Sequence, residues 1–332
     1  MKVGLALPHY DFSYPDGRTA DLEATIAFAQ RAEELGFDSV WVSDHFFLDL
    51  SRYGGSAERQ ASLEAMMTLA AIAMETERVR LGTLVLCEAF RHPPLLAKMA
   101  ATLDIVSRGR LDLGVGAGWY EDEYVANGYT FPPVGERMAR LRETVIILAG
   151  MLSQPRFSFE GKYYRVEDAP NEPPPVQRPR PPVWVGGKGG PKLMRIVAEA
   201  ADGWNTVWRW TPEVYAERVA ELERACEEVS RDPATVSRSL GLYTVVGSDE
   251  KDLERRWRDV TERAPIDASR IRLDDFARDT LAGTTDACIA RIKEFEALGV
   301  EELVCSFGLV PFMISSEEQL ELFARDVLPA VR

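Results

Sequence analysis

Two of the three histidines stand directly after short β-rich runs: His9 follows Lys2–Pro8, and His45 follows Ser39–Ser43 with Asp44 beside it. An imidazole titrates near neutral pH, and an adjacent carboxylate can orient it and support its charged form. Asp44-His45 is therefore a candidate proton-handling pair. The plainer alternative makes Asp44 a helix-start cap and His45 a structural residue. His9 is a candidate substrate contact by position, against loop packing. His92, between Arg91 and Pro93-Pro94, reads as a capping or surface residue at a helix start.

Two glycine runs offer a second kind of chemistry. GVGAG (Gly114–Gly118) and GGKGG (Gly186–Gly190) each follow a strand-like segment. Glycines there let backbone N–H groups approach an anion or an aromatic ring. The second run opens a helix whose N-terminal end favours phosphate, with Lys188 and Lys192 nearby. Neither run matches GxGxxG in a βαβ setting or GxxxxGK[ST], and a tight turn is the plainer alternative for both. No His/Asp/Glu group has metal-ligand spacing and no GxSxG elbow occurs, which disfavours metal hydrolases and serine esterases.

The elements that must position these residues follow from a repeated switch of hydrophobic period. Strands are expected at Lys2–Pro8, Ser39–Ser43, Val79–Leu86, Leu111–Val115, Val183–Gly186, Trp204–Val207, Ser239–Val246 and Glu302–Phe307. Helical spacing fills the intervals: 21–35, 62–74, 93–107, 135–152, 191–201, 212–229 and 286–298, with 317–331 closing the chain. EELGFDSVWVS (Glu33–Ser43) and EALGVEELVCS (Glu296–Ser306) repeat one helix–strand unit from opposite ends of the chain. Strict alternation with such a repeat predicts an α/β fold, a (β/α)₈ TIM barrel with insertions, over residues 1–332 as one domain. The insertions fall at about 154–182, a hairpin turning at Glu160-Gly161 and a Pro-rich passage, and at 248–283, a charged helical segment. Active sites of such barrels form at the C-terminal strand ends, which here carry His9, Asp44-His45-Phe46, Gly116–Trp119, Gly186–Gly190 and Trp208.

The chain resembles the bacterial luciferase-like superfamily, and within it the deazaflavin-dependent oxidoreductases. The resemblance rests on VWVSDHF (Val40–Phe46), RLGTLVL (Arg80–Leu86), RHPPLLAKMAATLDIVSRGRLDLGVGAGW (Arg91–Trp119) and GERMARLRETVIIL (Gly135–Leu148). It continues in FEGKYYRV (Phe159–Val166) and PPVWVGGKGGPKLMRIVAEAADGWN (Pro181–Asn205), and more loosely in GTTDACIARIKEFEALGVEELV (Gly283–Val304). It implies a barrel holding coenzyme F-420 (8-hydroxy-5-deazaflavin), or alternatively FMN, over the mouth. Asp44 and His45 match the pair beside ring and substrate. Leu84–Val85 matches a non-prolyl cis peptide behind the ring, Ala117-Gly118 the backbone along the cofactor chain, and Gly187, Lys188, Gly189 and Gly190 the phosphate contact.

In this reading His45 is the catalytic proton carrier and Asp44 holds both His45 and the ring. His9, Phe46, Trp119 and Trp208 are the substrate contacts. Trp119 stands where sugar-phosphate dehydrogenases of the family place a Glu acid, which argues against a sugar-phosphate reaction. Glu121, Asp122 and Glu123 are neighbouring carboxylates whose plainer reading is a solvated helix start. The activity implied is hydride transfer between deazaflavin and a small organic substrate. The alternatives are an FMN-dependent monooxygenase fed by a separate flavin reductase, and a non-catalytic flavin-binding protein.

Composition limits the partners. With 39 Lys+Arg against 53 Asp+Glu the net charge is −14, which disfavours nucleic acid and anionic membrane surfaces. An anionic cofactor then requires a local positive potential, expected from Lys188, Lys192 and Arg91. The apolar runs fall short of a bilayer span, and the N-terminus reads as a strand rather than a signal peptide. Four cysteines without a CxxC pair read as free thiols of a cytoplasmic protein. A homodimer through the early helices is implied by the resemblance alone.

Overall fold

Eight short parallel strands close on themselves in the computed structural model, which describes residues 1–332. They are Lys2–Ala6, Ser39–Val42, Arg80–Thr83, Leu111–Gly116, Val183–Gly186, Gly203–Trp208, Ser237–Gly247 and Glu302–Ser306. Each pairs with the next in sequence, and the seventh with the eighth. Closure comes from the first and eighth, in register from Lys2↔Glu302 to Leu5↔Cys305. These strands are buried on nearly every residue, as expected where helices cover the outside and side chains fill the inside. Trp41 and Trp184 meet edge to face inside the barrel, at 6.4 Å between centroids.

The helices lie where hydrophobic spacing and terminal signals place them. Leu22–Leu35 starts at Asp21, whose side chain accepts the Ala24 N–H, and ends at Gly36 with φ of 88°. Pro93–Val106, Pro191–Ala200 and Pro212–Glu228 each begin with proline at the first helical position, where its missing N–H costs nothing. The closing segment is shorter than its periodicity suggests. Glu317–Asp326 stops at Val327, and a separate turn Leu328–Val331 follows, because Pro329 cannot continue the hydrogen-bond ladder. No helix is long and apolar enough to cross a membrane.

Both insertions differ in detail from the expectation. The hairpin Arg156–Glu160 with Arg165–Pro170 forms, but its turn lies at residues 161–164 rather than at Glu160-Gly161. The Glu143 carboxylate fixes that turn by accepting N–H bonds from Lys162, Tyr163 and Tyr164 at 2.8, 2.9 and 3.0 Å. In the second insertion the charged helix Glu250–Arg263 is followed by a short helix, Leu273–Ala277. A strand, Leu281–Thr284, then pairs with the far end of the eleven-residue seventh strand. A six-residue helix, Glu121–Ala126, also stands at the mouth after the fourth strand, where the three acids read as a helix start.

Candidate active site at the barrel mouth

The C-terminal strand ends surround a cavity of about 930 Å³. Strand order divides its wall into two halves. Loops after the third, fourth and fifth strands supply a backbone-rich half, with Leu84, Val85, Gly116–Gly118 and Gly186–Gly189. The sixth and seventh strands and the loops after the first and eighth supply an aromatic half with Trp208, Tyr243, Tyr10 and Phe312. His45 and Trp119 also line the cavity, on the loops after the second and fourth strands.

His45 is held by Glu123. Its Nδ1 lies 2.9 Å from Glu123 Oε2, and the Glu123 side chain is 2% exposed. The other carboxylate oxygen accepts the Phe46 N–H. Nδ1 therefore donates to a fixed anion, which leaves the Nε2 of a cavity-lining histidine without a protein partner. Trp119 stands edge-on to the imidazole at 5.7 Å. Glu123 is thus not part of a solvated helix start. Glu121 and Asp122 are exposed, and only Glu123 turns inward.

Asp44 does not hold His45. Its carboxylate takes a two-pronged pair from Arg91, at 2.7 and 2.9 Å, and the Cys87 N–H at 3.0 Å. Arg91 also reaches Glu64, and the pairing raises its already high affinity for a proton. This buried pair ties the loop after the second strand to the start of the third helix, while Asp44 still borders the cavity. Arg91 is consumed by it and adds no positive potential to the mouth.

His9 lies beneath the site rather than in it. The ring is fully buried and does not border the cavity. Nδ1 donates to the Leu7 carbonyl at 2.8 Å, while Nε2 faces the Ser43 N–H and hydroxyl at 3.2 and 3.0 Å. Burial pushes its pKa down to about 4, so the ring is neutral. Tyr10, bonded to the same Ser43 hydroxyl at 2.5 Å, is the residue that reaches the cavity. Phe46 also does not border the cavity: its ring is 45% exposed and packs on Phe90 at 4.9 Å.

On the backbone-rich half, the Leu84–Val85 peptide bond is cis. Gly118, with φ of 70°, passes so close to Tyr124 that a Cβ would lie 1.9 Å from its hydroxyl oxygen. Ala117, Gly187, Lys188 and Gly189 border the cavity; Gly190 and Lys192 do not. The Gly190 N–H goes to Glu221 at 3.1 Å instead. Lys188 lies 4.7 Å over the Trp210 ring, and burial pushes its pKa down to about 8. The other cations at the mouth are Arg52, Arg137 and Arg209, none of them anticipated. Arg137 sits in the first turn of helix Val134–Ser153, and its buried Nε has no partner. Trp208 borders the cavity and stacks on Tyr243 at 5.4 Å, and the Val207–Trp208 bond is also cis.

The model of the luciferase-like monooxygenase family matches residues 1–302. The F-420-dependent glucose-6-phosphate dehydrogenase of Amycolatopsis mediterranei is 31% identical over 328 residues, covering 92% of this chain and 94% of the relative. The F-420-dependent hydroxymycolic acid dehydrogenase of Mycobacterium tuberculosis is 28% identical over 341 residues, covering 99% and 88%. Among solved structures, a monooxygenase from Streptomyces bottropensis superposes with a TM-score of 0.78 at 26% identity over 99% of both chains. An F-420-dependent secondary alcohol dehydrogenase in complex with an F-420–acetone adduct has the same fold, with a TM-score of 0.77 at 23% identity over 100% and 99%. A closed barrel with its cavity at the C-terminal strand ends, matched along most of its length, makes this chain a member of the luciferase-like monooxygenase family.

Proposed function

We propose that the protein is an F-420-dependent oxidoreductase that moves a hydride between the deazaflavin and a small organic substrate. The observation that carries this reading is the His45–Glu123 pair on the cavity wall, with Nε2 open to a reacting atom. The dehydrogenase names of the relatives at 31% and 28% identity support the choice of cofactor.

The residues present fit that cofactor. A cavity of about 930 Å³ is within the range that holds cofactors. Gly116 and Gly118 let Val85 and Tyr124 pack against bare backbone, which sets Leu84–Val85 on the cavity wall as a surface for a flat ring system, and Gly187–Gly189 with Lys188 is suited to a phosphate. Arg137 and Lys188 supply the local positive potential that a chain of net charge −14 needs for an anionic ligand. When bound, the deazaflavin supplies or accepts a hydride at its C5 carbon.

The chain's own part is to place substrate and proton. His45 Nε2 gives a proton to, or takes it from, the substrate oxygen as the carbon beside it changes oxidation state. Glu123 fixes the tautomer with the Nε2 lone pair toward the cavity, and stabilises the imidazolium when it forms. Asp44 with Arg91 anchors the loop that carries His45, and Trp119, Trp208 and Phe312 keep water from the reacting atoms. Trp119 offers no acid, so His45 acts alone in proton transfer. Exposed Met67 and Met74 on the second helix and Leu95 on the third suit the expected pairing with a second copy.

Equilibrium binding of the purified protein to F-420 and to FMN tests the reading. F-420 binding with little FMN binding is expected. Tight FMN binding without F-420 binding would replace it with a flavin monooxygenase, and bound cofactor without turnover on any alcohol or ketone would favour a non-catalytic binder.

A further inference from the structure

The aromatic half of the cavity carries two polar atoms that nothing in the protein satisfies. Tyr53 and Tyr243 both border the cavity, and neither hydroxyl has a hydrogen-bond partner or is sealed from it. Tyr243 is only 4% exposed, and both hydroxyls are pushed toward the neutral form by burial, Tyr53 up to about 12. Two O–H groups without a protein partner, set in an apolar wall, favour a ligand that brings an acceptor.

The same wall is otherwise largely apolar, apart from Arg52, which forms no ion pair. Around the two tyrosines stand Trp208, Ile266, Ile271, Leu309 and Phe312. Arg209 is paired with Asp279 at 2.9 Å, and Arg52 lies on the Trp119 ring at 4.6 Å. Lys188 comes from the glycine-rich loop and turns its ammonium to the Arg209 carbonyl and the Trp210 ring.

The second insertion builds this chamber. Ile266 and Ile271 come from it, and Ile266 bridges to Gly55 while the Asp267 N–H reaches the Gly54 carbonyl at 3.2 Å. The approach at Gly55 is so close that a Cβ there would lie 2.8 Å from the Pro265 carbonyl oxygen. Loop 49–55, which holds Tyr53, is thereby latched to the insertion across the barrel mouth.

Resting on the oxidoreductase reading above, we infer that the substrate is a neutral, largely apolar alcohol or carbonyl compound carrying a second oxygen remote from the reacting one. Tyr53 and Tyr243 donate hydrogen bonds to that second oxygen and thereby set specificity, while His45 meets the first. A sugar phosphate does not suit this wall, because its hydroxyls would face aromatic and aliphatic side chains.

Calorimetric titration of acetophenone, 4-hydroxyacetophenone and glucose 6-phosphate, with and without F-420, tests the inference. The wild-type protein should prefer 4-hydroxyacetophenone to acetophenone by about tenfold, and Tyr53→Phe with Tyr243→Phe should bring the two affinities together. Acetophenone and F-420 affinities should stay unchanged in that double variant. An unaltered preference in the variant, equal or undetectable binding of both ketones, or tighter binding of glucose 6-phosphate overturns it. Failure to bind F-420 would sink the oxidoreductase reading alone, since the ketone preference measured without cofactor still judges the chamber.

Discussion

His45→Ala removes the one imidazole nitrogen that the cavity leaves open, so turnover should fall by about 10²–10⁴ while the F-420 dissociation constant stays nearly unchanged. Glu123→Gln keeps the shape but loses the anion, and should lower kcat by about tenfold with little change in KM. Deazaflavin absorbance follows both, and undiminished turnover in His45→Ala would remove that residue from the chemistry. Lys188 makes a separate prediction. Burial holds its ammonium down to about 8, so it is charged below that pH and neutral above it. F-420 affinity should therefore weaken as pH rises from about 7 to 9, and Lys188→Met should bind more weakly with a flatter pH dependence. Part of this site was legible in the chain: the His45 position, Trp119, Trp208 and the glycine runs all reach the mouth. The separate partners of Asp44 and His45 were not. Adjacent in the chain, the two find separate partners, Asp44 in Arg91 and His45 in Glu123. Glu123 did not stand out from Glu121 and Asp122 because a six-residue helix is too short to show which of three consecutive acids faces inward.

Long elements announced themselves, because each carries a full period and a terminal signal, such as Asp21 before and Gly36 after the first helix. Short ones did not. Leu281–Thr284 has four residues without a clear alternation, and only the overlong seventh strand gives it a partner. The hairpin of the first insertion shows how one distant residue overrides a local turn preference. Glu143, on helix Val134–Ser153, collects three consecutive N–H groups and is nearly buried by doing so. Hydrogen bonds to a charged group contribute about 1.5–3 kcal/mol, so Glu143→Ala should cost about 2–4 kcal/mol in urea unfolding. Limited proteolysis should then cut first at residues 161–164, ahead of any barrel helix. A variant with unchanged urea midpoint and unchanged cleavage pattern would show that the hairpin holds its turn without this anchor.

At the scale of the molecule, barrel closure was readable from eight alternating units, yet nothing in that alternation reveals what fills the barrel floor. Glu302 opens the eighth strand and points inward, 6% exposed, accepting bonds from the Ser39 hydroxyl and from Trp41 Nε1. Burial first, and the nearby Asp112 carboxylate second, push its pKa up to about 7. Asp112 itself is paired with Arg80 at 2.6 Å, which leaves Glu302 as the carboxyl that stays protonated. The direction of the stability effect follows from linkage. Below about pH 4.5 the carboxyl carries its proton in folded and unfolded chains alike. Between there and 7 the unfolded chain ionises while the folded one does not, so stability drops as pH rises through that window. Glu302→Gln keeps an oxygen for both bonds and has no proton to lose. Wild type and variant should match near about pH 4.5, and the variant should gain up to about 3 kcal/mol over wild type by about pH 8. Urea unfolding at the two pH values reads the difference directly. Parallel curves would mean that Glu302 is already ionised in the fold, with Lys2 rather than a bound proton balancing it at the base of the barrel.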